Sequence, residues 1–138
     1  MKFVVAGALG HIGSLLVRRL GDWYPNSEIV MVDNLSSERY CSLFNFPKTT
    51  KNIFIKGNVC ELDLHKIFSN ANVVFQLAAI TNAEASVGNA SEVEANNYNA
   101  TNMVALACKD LLIPMIYISS TSVYGTSSEK VNEDCGTD

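Results

Sequence analysis

Lys2-Phe3-Val4-Val5-Ala6-Gly7-Ala8-Leu9-Gly10-His11-Ile12-Gly13 opens the chain with an apolar strand that runs straight into a glycine loop. Behind the loop, apolar residues at Ile12, Leu15, Leu16 and Leu20 recur at helical spacing. Glycines at a strand-to-helix junction permit a tight turn and let an anionic group come close to the helix start. There the unpaired N–H groups and the positive end of the helix dipole favour phosphate. A glycine triplet alone is weak evidence. A second apolar run, Glu28-Ile29-Val30-Met31-Val32, ends in Asp33, twenty residues past Gly13. A carboxylate at that place can accept both hydroxyls of an adenosine ribose and repels a 2′-phosphate, which points to NAD over NADP.

Further strand-like runs follow at 53–56, 72–77 and 114–119, after those at 2–6 and 28–33. Helical patterns fall at about 11–21, 61–69 and 91–112. Strands alternating with helices imply a parallel sheet with helices on both faces, right-handed crossovers and strand order 3-2-1-4-5. Ser91-Glu92-Val93-Glu94 has the form of a capping box for the last helix, and Asn58-Val59-Cys60-Glu61 the same form for the one before it. Between 34 and 52 the pattern is irregular: Ser36–Tyr40 could start a short helix, and Pro47–Asn52 reads as a turn or loop. In such sheets ligands sit beyond the carboxyl ends of the strands, where the strand order reverses. One rim therefore collects Gly7–Gly13, Asp33–Leu35, Gly57–Val59, Leu77–Thr81 and Ser119–Thr121.

With 138 residues the chain suits one domain with a substantial core. Hydrophobic residues are 48% and charged residues 17%, and the net charge of −4 gives no electrostatic reason to expect nucleic acid or an anionic membrane. No apolar run approaches the roughly 20 residues that span a bilayer. The early glycine loop is unlike a signal peptide, and a cytoplasmic setting is expected. Cys41, Cys60, Cys108 and Cys135 show no C-x-x-C spacing, so reduced thiols are expected. The histidines are His11 and His65, and no metal site is expected. His11 at the helix start has two readings: a cation beside a phosphate, or a partly exposed loop residue.

The motifs in order resemble those of the extended short-chain dehydrogenase/reductase superfamily, in particular its NAD-dependent sugar-nucleotide epimerases and dehydratases (UDP-glucose 4-epimerase-like). They are Gly7-x-x-Gly10-x-x-Gly13, Asp33-Asn34-Leu35, Gly57-Asn58-Val59, Val74-Phe75-Gln76-Leu77-Ala78-Ala79, Asn97 through Thr101, and Ser119-Ser120-Thr121-Ser122-Val123-Tyr124-Gly125. The resemblance covers essentially the whole chain. It implies a Rossmann-type doubly wound α/β fold, truncated before the later strands, with residues 1–138 as the NAD(P)-binding domain of a longer enzyme. Gly7, Gly10 and Gly13 would frame the pyrophosphate, with Leu9 in place of a second close glycine and Ile12 supplying an amide. Asp33, helped by Asn34, would hold the adenosine ribose, and Leu35 and Val59 share its rim. Asn58 stands where the family usually has aspartate; it would keep an acceptor for adenine, and it also reads as a helix cap. Leu77, Ala78 and Ala79 would line the nicotinamide ribose.

Asn97 shares a helical face with Val93, Ala100, Val104 and Leu111, and is expected to turn inward rather than lie solvated beside Asn96, Asn99 and Asn102. The resemblance places it at the active-site end of its helix. Ser120 lies four residues before Tyr124, where the family carries the hydroxyl that bonds the reacting group; Thr121 and Ser119 are the alternatives, beside a plain capping role.

The family's chemistry needs Tyr-x-x-x-Lys, and no tyrosine here has a lysine four positions on. The resemblance thus implies the cofactor-binding portion of an epimerase or dehydratase, inactive by itself, with a nucleotide sugar as substrate of the whole enzyme. The strand at 114–119 and the helix at 91–112 would then show unpartnered apolar surface, which favours a homodimer or other self-association. A non-catalytic dinucleotide-sensing module of the same superfamily is the alternative, and an NADP- or flavin-dependent reductase is disfavoured by Asp33.

Overall fold

The computed structural model describes residues 1–80 and 90–119. Its elements run β1 (Lys2–Ala6), α1 (His11–Trp23), β2 (Glu28–Asp33), a 3-10 turn (Tyr40–Leu43), β3 (Lys51–Lys56), α2 (Leu64–Phe68), β4 (Val73–Gln76), α3 (Ala90–Asp110) and β5 (Met115–Tyr117). All strand pairs are parallel and the sheet order is β3-β2-β1-β4-β5. This is the order anticipated from the alternation of strands and helices. Strands β1 and β2 are buried on both faces, and they read as unbroken apolar runs for that reason.

The sheet carries a core on each face. On one, Phe3, Val5, Ile29 and Met31 meet Val17 and Leu20 of α1. On the other, Val4, Ala6, Val30, Val32 and Val74 meet Leu64 and Phe68 of α2 and Ala100, Val104, Ala107 and Cys108 of α3. Helix α1 seats itself through Gly13, Val17, Leu20 and Gly21, with Leu16 half-buried against the same core. Ile12 and Leu15 remain 58% exposed. Gly13 lies against the backbone of Gly7 and Ala8 and Gly21 against the Pro47 ring, so the helix turns its smallest residues toward its closest neighbours.

Several boundaries moved. Helix α2 begins at Leu64, not 61, because Asp63 supplies the cap: its Oδ1 accepts from the Lys66 N–H at 3.1 Å. Asn58 instead closes a local turn, its Oδ1 accepting from the Cys60 N–H at 3.0 Å. At the other end of α2, the Lys2 ammonium donates to the Ile67 and Ser69 carbonyls at 2.9 and 2.8 Å, as a cation does at a helix C-terminus. Helix α3 stops at Asp110, and Leu112 takes a positive φ of 54° just before Pro114. The side chains of the proposed capping box Ser91–Glu94 lie outside the described residues except Val93. The irregular stretch after β2 forms its turn at Tyr40–Leu43, later than Ser36. Among the described residues strand β5 is an edge, with Ile116, Tyr117 and Ile118 about half exposed.

Candidate dinucleotide site

The carboxyl ends of β1, β2 and β4 meet the start of α1, and the site is built there. Gly7 leaves β1 with φ +73°, donates its N–H to the Val32 carbonyl at 2.9 Å, and accepts from the Gly10 N–H at 3.2 Å. A Cβ on Gly7 would lie 2.6 Å from Ala78 N and from the Leu77 carbonyl. The turn and the loop after β4 are thus in backbone contact. A Cβ on Gly13 would collide with the Gly7 carbonyl oxygen, whereas one on Gly10 would meet only that oxygen, at 3.4 Å. Two of the three glycines are required by the packing of the protein on itself. Gly10 alone stands where added bulk would face open space.

Helix α1 starts at His11 with Gly10 as its cap residue, which has no side chain to accept from the first turn, and no acid lies in that turn. The N–H groups of His11, Ile12 and Gly13 therefore have no intrahelical acceptor. Such an end, with its partial positive charge, suits an anionic group. His11 and Ile12 are exposed there.

Asp33 ends β2 beside this turn. Its Oδ2 accepts the Leu9 N–H at 2.9 Å and its Oδ1 accepts the Leu35 N–H at 2.8 Å. Both oxygens keep further lone pairs, so the carboxylate is oriented and still able to accept hydroxyls. The Leu9 amide is spent on Asp33, and the Leu9 side chain is buried; what Leu9 contributes is the orientation of the acid. Leu35 presents its N–H from a left-handed conformation of φ 63°. That conformation is costly for a branched residue, and here it accompanies a buried side chain. The Asn34 Oδ1 accepts from the Ser36 N–H at 2.9 Å, so its carbonyl shapes the turn. On the neighbouring strand end, the Gly57 N–H donates to the Asp33 carbonyl at 3.0 Å. The side chain of Val59 sits in the core with Phe68 and Val74, and Asn58 has its oxygen in the turn already described.

The loop after β4 closes the site on the far side. Leu77 donates its N–H to the Ala6 carbonyl at 2.9 Å. Leu77 and Ala78 are half-buried and Ala79 is exposed. Half-buried Asn97, in the second turn of α3, holds the loop end with both ends of its amide. Its Oδ1 accepts from the Ile80 N–H at 2.8 Å and its Nδ2 donates to the Ile80 carbonyl at 3.0 Å. Ser120 and Thr121 lie outside the described residues.

Three contributors were not singled out from the sequence. The buried Ser42 hydroxyl donates to the Leu9 carbonyl at 3.0 Å. The Arg18 guanidinium donates to the carbonyls of Ser14, Ser42 and Phe44, at 2.6, 3.4 and 2.9 Å, and stacks over Phe46. Together they fasten the 3-10 turn to α1. Gln76, buried at the end of β4, donates through Nε2 to the Ala78 carbonyl at 2.9 Å. An amide at the inward position of an apolar strand is a signal for Gln76; nothing in the sequence marks a serine or an arginine whose partners are main-chain carbonyls.

Among the described residues there is no cluster of three metal-ligating side chains and no helix long and apolar enough to cross a membrane. Cys41, Cys60 and Cys108 are free thiols. Burial raises the Cys108 thiol above its usual pKa.

The sequence profile described as the NAD dependent epimerase/dehydratase family matches residues 3–138. A trifunctional UDP-glucose 4,6-dehydratase/UDP-4-keto-6-deoxy-D-glucose 3,5-epimerase/UDP-4-keto-L-rhamnose-reductase of Arabidopsis thaliana is 33% identical over 137 residues, which cover 93% of this chain and 20% of that protein. A UDP-glucose epimerase of Bacillus subtilis, itself uncharacterized, is 32% identical over 97% of this chain and 44% of its own length. Among solved structures, UDP-glucuronic acid 4-epimerase from Bacillus cereus, in complex with UDP-glucuronic acid and NAD, superimposes with a TM-score of 0.87 at 29% identity, covering all of this chain and 46% of that one. UDP-N-acetylglucosamine 4-epimerase from Methanobrevibacter ruminantium M1 gives 0.86 at 33% identity, over 99% and 43% of the two chains. The chain spans less than half the length of each of these relatives. The sheet order, the glycine turn seated on the β4 loop and the profile match over nearly every residue lead to one conclusion: the chain belongs to the NAD-dependent epimerase/dehydratase family.

Proposed function

We propose that residues 1–138 form the NAD-binding portion of a nucleotide-sugar epimerase or dehydratase, cytoplasmic in setting. The observation that carries this is the Asp33 carboxylate, oriented by the Leu9 and Leu35 N–H groups beside an uncapped helix start. In this reading Asp33 accepts the adenosine ribose hydroxyls, with the exposed Asn34 beside it. The first-turn amides of α1, from His11 to Gly13, receive the pyrophosphate, and Gly10 leaves room for it. Leu77, Ala78 and Ala79 form the wall on the nicotinamide side, with the Asn97 clamp behind them. Asn58 and Val59 border the adenine end through their backbone.

When bound, NAD would take up a hydride from a sugar carbon and return it. The residue of this chain that would bond the reacting hydroxyl is Ser120, with Thr121 as the alternative. The sequence holds no Tyr-x-x-x-Lys, so these 138 residues are expected to bind the cofactor and not to turn over a sugar nucleotide. The half-exposed Ile116, Tyr117 and Ile118 at the sheet edge would make the isolated chain self-associate.

Calorimetric titration with NAD and with NADP tests the reading. Saturable NAD binding is expected, with NADP weaker by about tenfold or more because its 2′-phosphate meets the Asp33 carboxylate. Tighter binding of NADP, or no binding of either, would overturn it.

A further inference from the structure

Gln76 is a residue whose stability contribution and position disagree. Its side chain is only 3% exposed, and its Oε1 is buried without a hydrogen-bond partner among the described residues. The other end of the amide, Nε2, donates to the Ala78 carbonyl. Turning the amide over would set oxygen against oxygen at Ala78, so the orientation is fixed by chemistry. Gln76 pairs in register with Ala6 of β1 and Tyr117 of β5, and it shares a sheet face with Val74 and the apolar core under α3. A buried carbonyl without a donor costs more than one neutral hydrogen bond returns, and an apolar side chain of the same shape would serve the core as well or better. Stability does not account for an amide here.

We infer that Gln76 is a positioning residue for the loop Leu77–Ile80, setting the wall of the dinucleotide site against the glycine turn. The inference rests on the function proposed above. The loop is fixed at successive points: the Leu77 N–H on the Ala6 carbonyl, the Ala78 carbonyl on Gln76, and both backbone groups of Ile80 on Asn97. Between the first and last of these, Gln76 is the side chain among the described residues that hydrogen-bonds the loop. At that middle point the loop lies against Gly7, where a Cβ would come within 2.6 Å of Ala78 N. Gly7 in turn holds the start of α1 through the Gly10 N–H. The distance between the two walls of the site is therefore set at the bond Gln76 makes. Asn97 acts from α3 on the loop end, and Gln76 acts from the strand on its middle.

The test compares the chain with Gln76→Met, an apolar side chain of similar length, and with Val74→Ala as a control that only weakens the core. Three quantities are read: the melting temperature, amide exchange at Ile80, and the NAD dissociation constant. Gln76→Met is expected to melt at or above the parent temperature, to exchange Ile80 faster, and to bind NAD about five- to tenfold more weakly, as for one lost hydrogen bond. Val74→Ala is expected to melt lower with Ile80 exchange and NAD binding near parent values. Parent-like exchange and affinity in Gln76→Met would overturn the inference. So would a lowered or lost melting transition in that variant, since the side chain would then carry stability. If the parent chain binds no NAD, the function proposal fails, and Ile80 exchange decides the role of Gln76 alone.

Discussion

The Leu9 N–H points into the Asp33 carboxylate at 2.9 Å, across a gap of twenty-four residues in sequence. That bond ties the glycine loop to the end of the second strand, and with the Leu35 N–H on the other oxygen it leaves the acid one orientation.

Asp33→Asn is predicted to damage both fold and affinity. An amide offers a single acceptor oxygen, so either Leu9 or Leu35 would face an NH2 group. Urea unfolding should show a loss of about 2 kcal/mol. NAD binding should weaken by about tenfold or more while NADP loses less, because the repulsion of its 2′-phosphate disappears with the charge. Unchanged preference for NAD in the variant would show that Asp33 does not select the cofactor.

The glycines are predicted to be unequal. Gly13→Ala sets a methyl group into the Gly7 carbonyl oxygen and against the Ala8 backbone, neither of which is a side chain that can swing aside. A loss of ~3 kcal/mol is expected. Gly10→Ala meets only the Gly7 carbonyl oxygen, at 3.4 Å, and its φ of −61° suits any residue. Its cost should stay near 1 kcal/mol, and its main effect should appear in NAD affinity. Thermal melts of the two variants decide this; equal losses would contradict the geometry.

Much of the fold is legible in the sequence, and what is not has a common cause. The strands 2–6 and 28–33 show in the sequence as apolar runs because they are buried on both faces. The sequence pattern starts helix α2 at 61 and the structure at Leu64, because Asn58 and Asp63 are both competent caps, and the choice between them depends on where Leu64 and Phe68 can reach the core. The buried face of α1 is set in a related way: a hydrophobic pattern ranks Ile12 and Leu15 above glycine, yet both stay exposed while Gly13 and Gly21 take the close contacts.

Acid should release one surface pair. Glu28 and Lys51 face each other in register at the start of β2 and β3, Nζ to Oε2 at 2.7 Å, with Lys2 4.0 Å from the other oxygen. The hydrogen bond from Lys51 holds the Glu28 carboxyl below its ordinary value of 4.5. A carboxyl lowered in the folded state stabilises it above the unfolded pKa, and the contribution fades as pH falls through the folded one. Because Lys51 is largely exposed, solvent screens the pair and Glu28→Gln should cost less than about 1 kcal/mol at pH 7. The difference between parent and variant in urea should shrink as pH falls below 4.5 and be gone once the folded carboxyl is protonated. A difference that persists there would mean the pair acts through packing instead.

By itself the sequence determined the alternation of strands and helices, the glycine turn and the acid at the end of the second strand. These are local: apolar period, turn chemistry and spacing are written in consecutive residues. Tertiary structure alone decided which polar groups meet. The bonds of Asp33 to Leu9, Ser42 to Leu9, Gln76 to Ala78 and Asn97 to Ile80 place side chains on main-chain groups. Every residue carries the same main-chain N–H and C=O, proline's missing N–H aside, so the sequence cannot mark the partner. Only the packing of the strands and helices brings the two within reach.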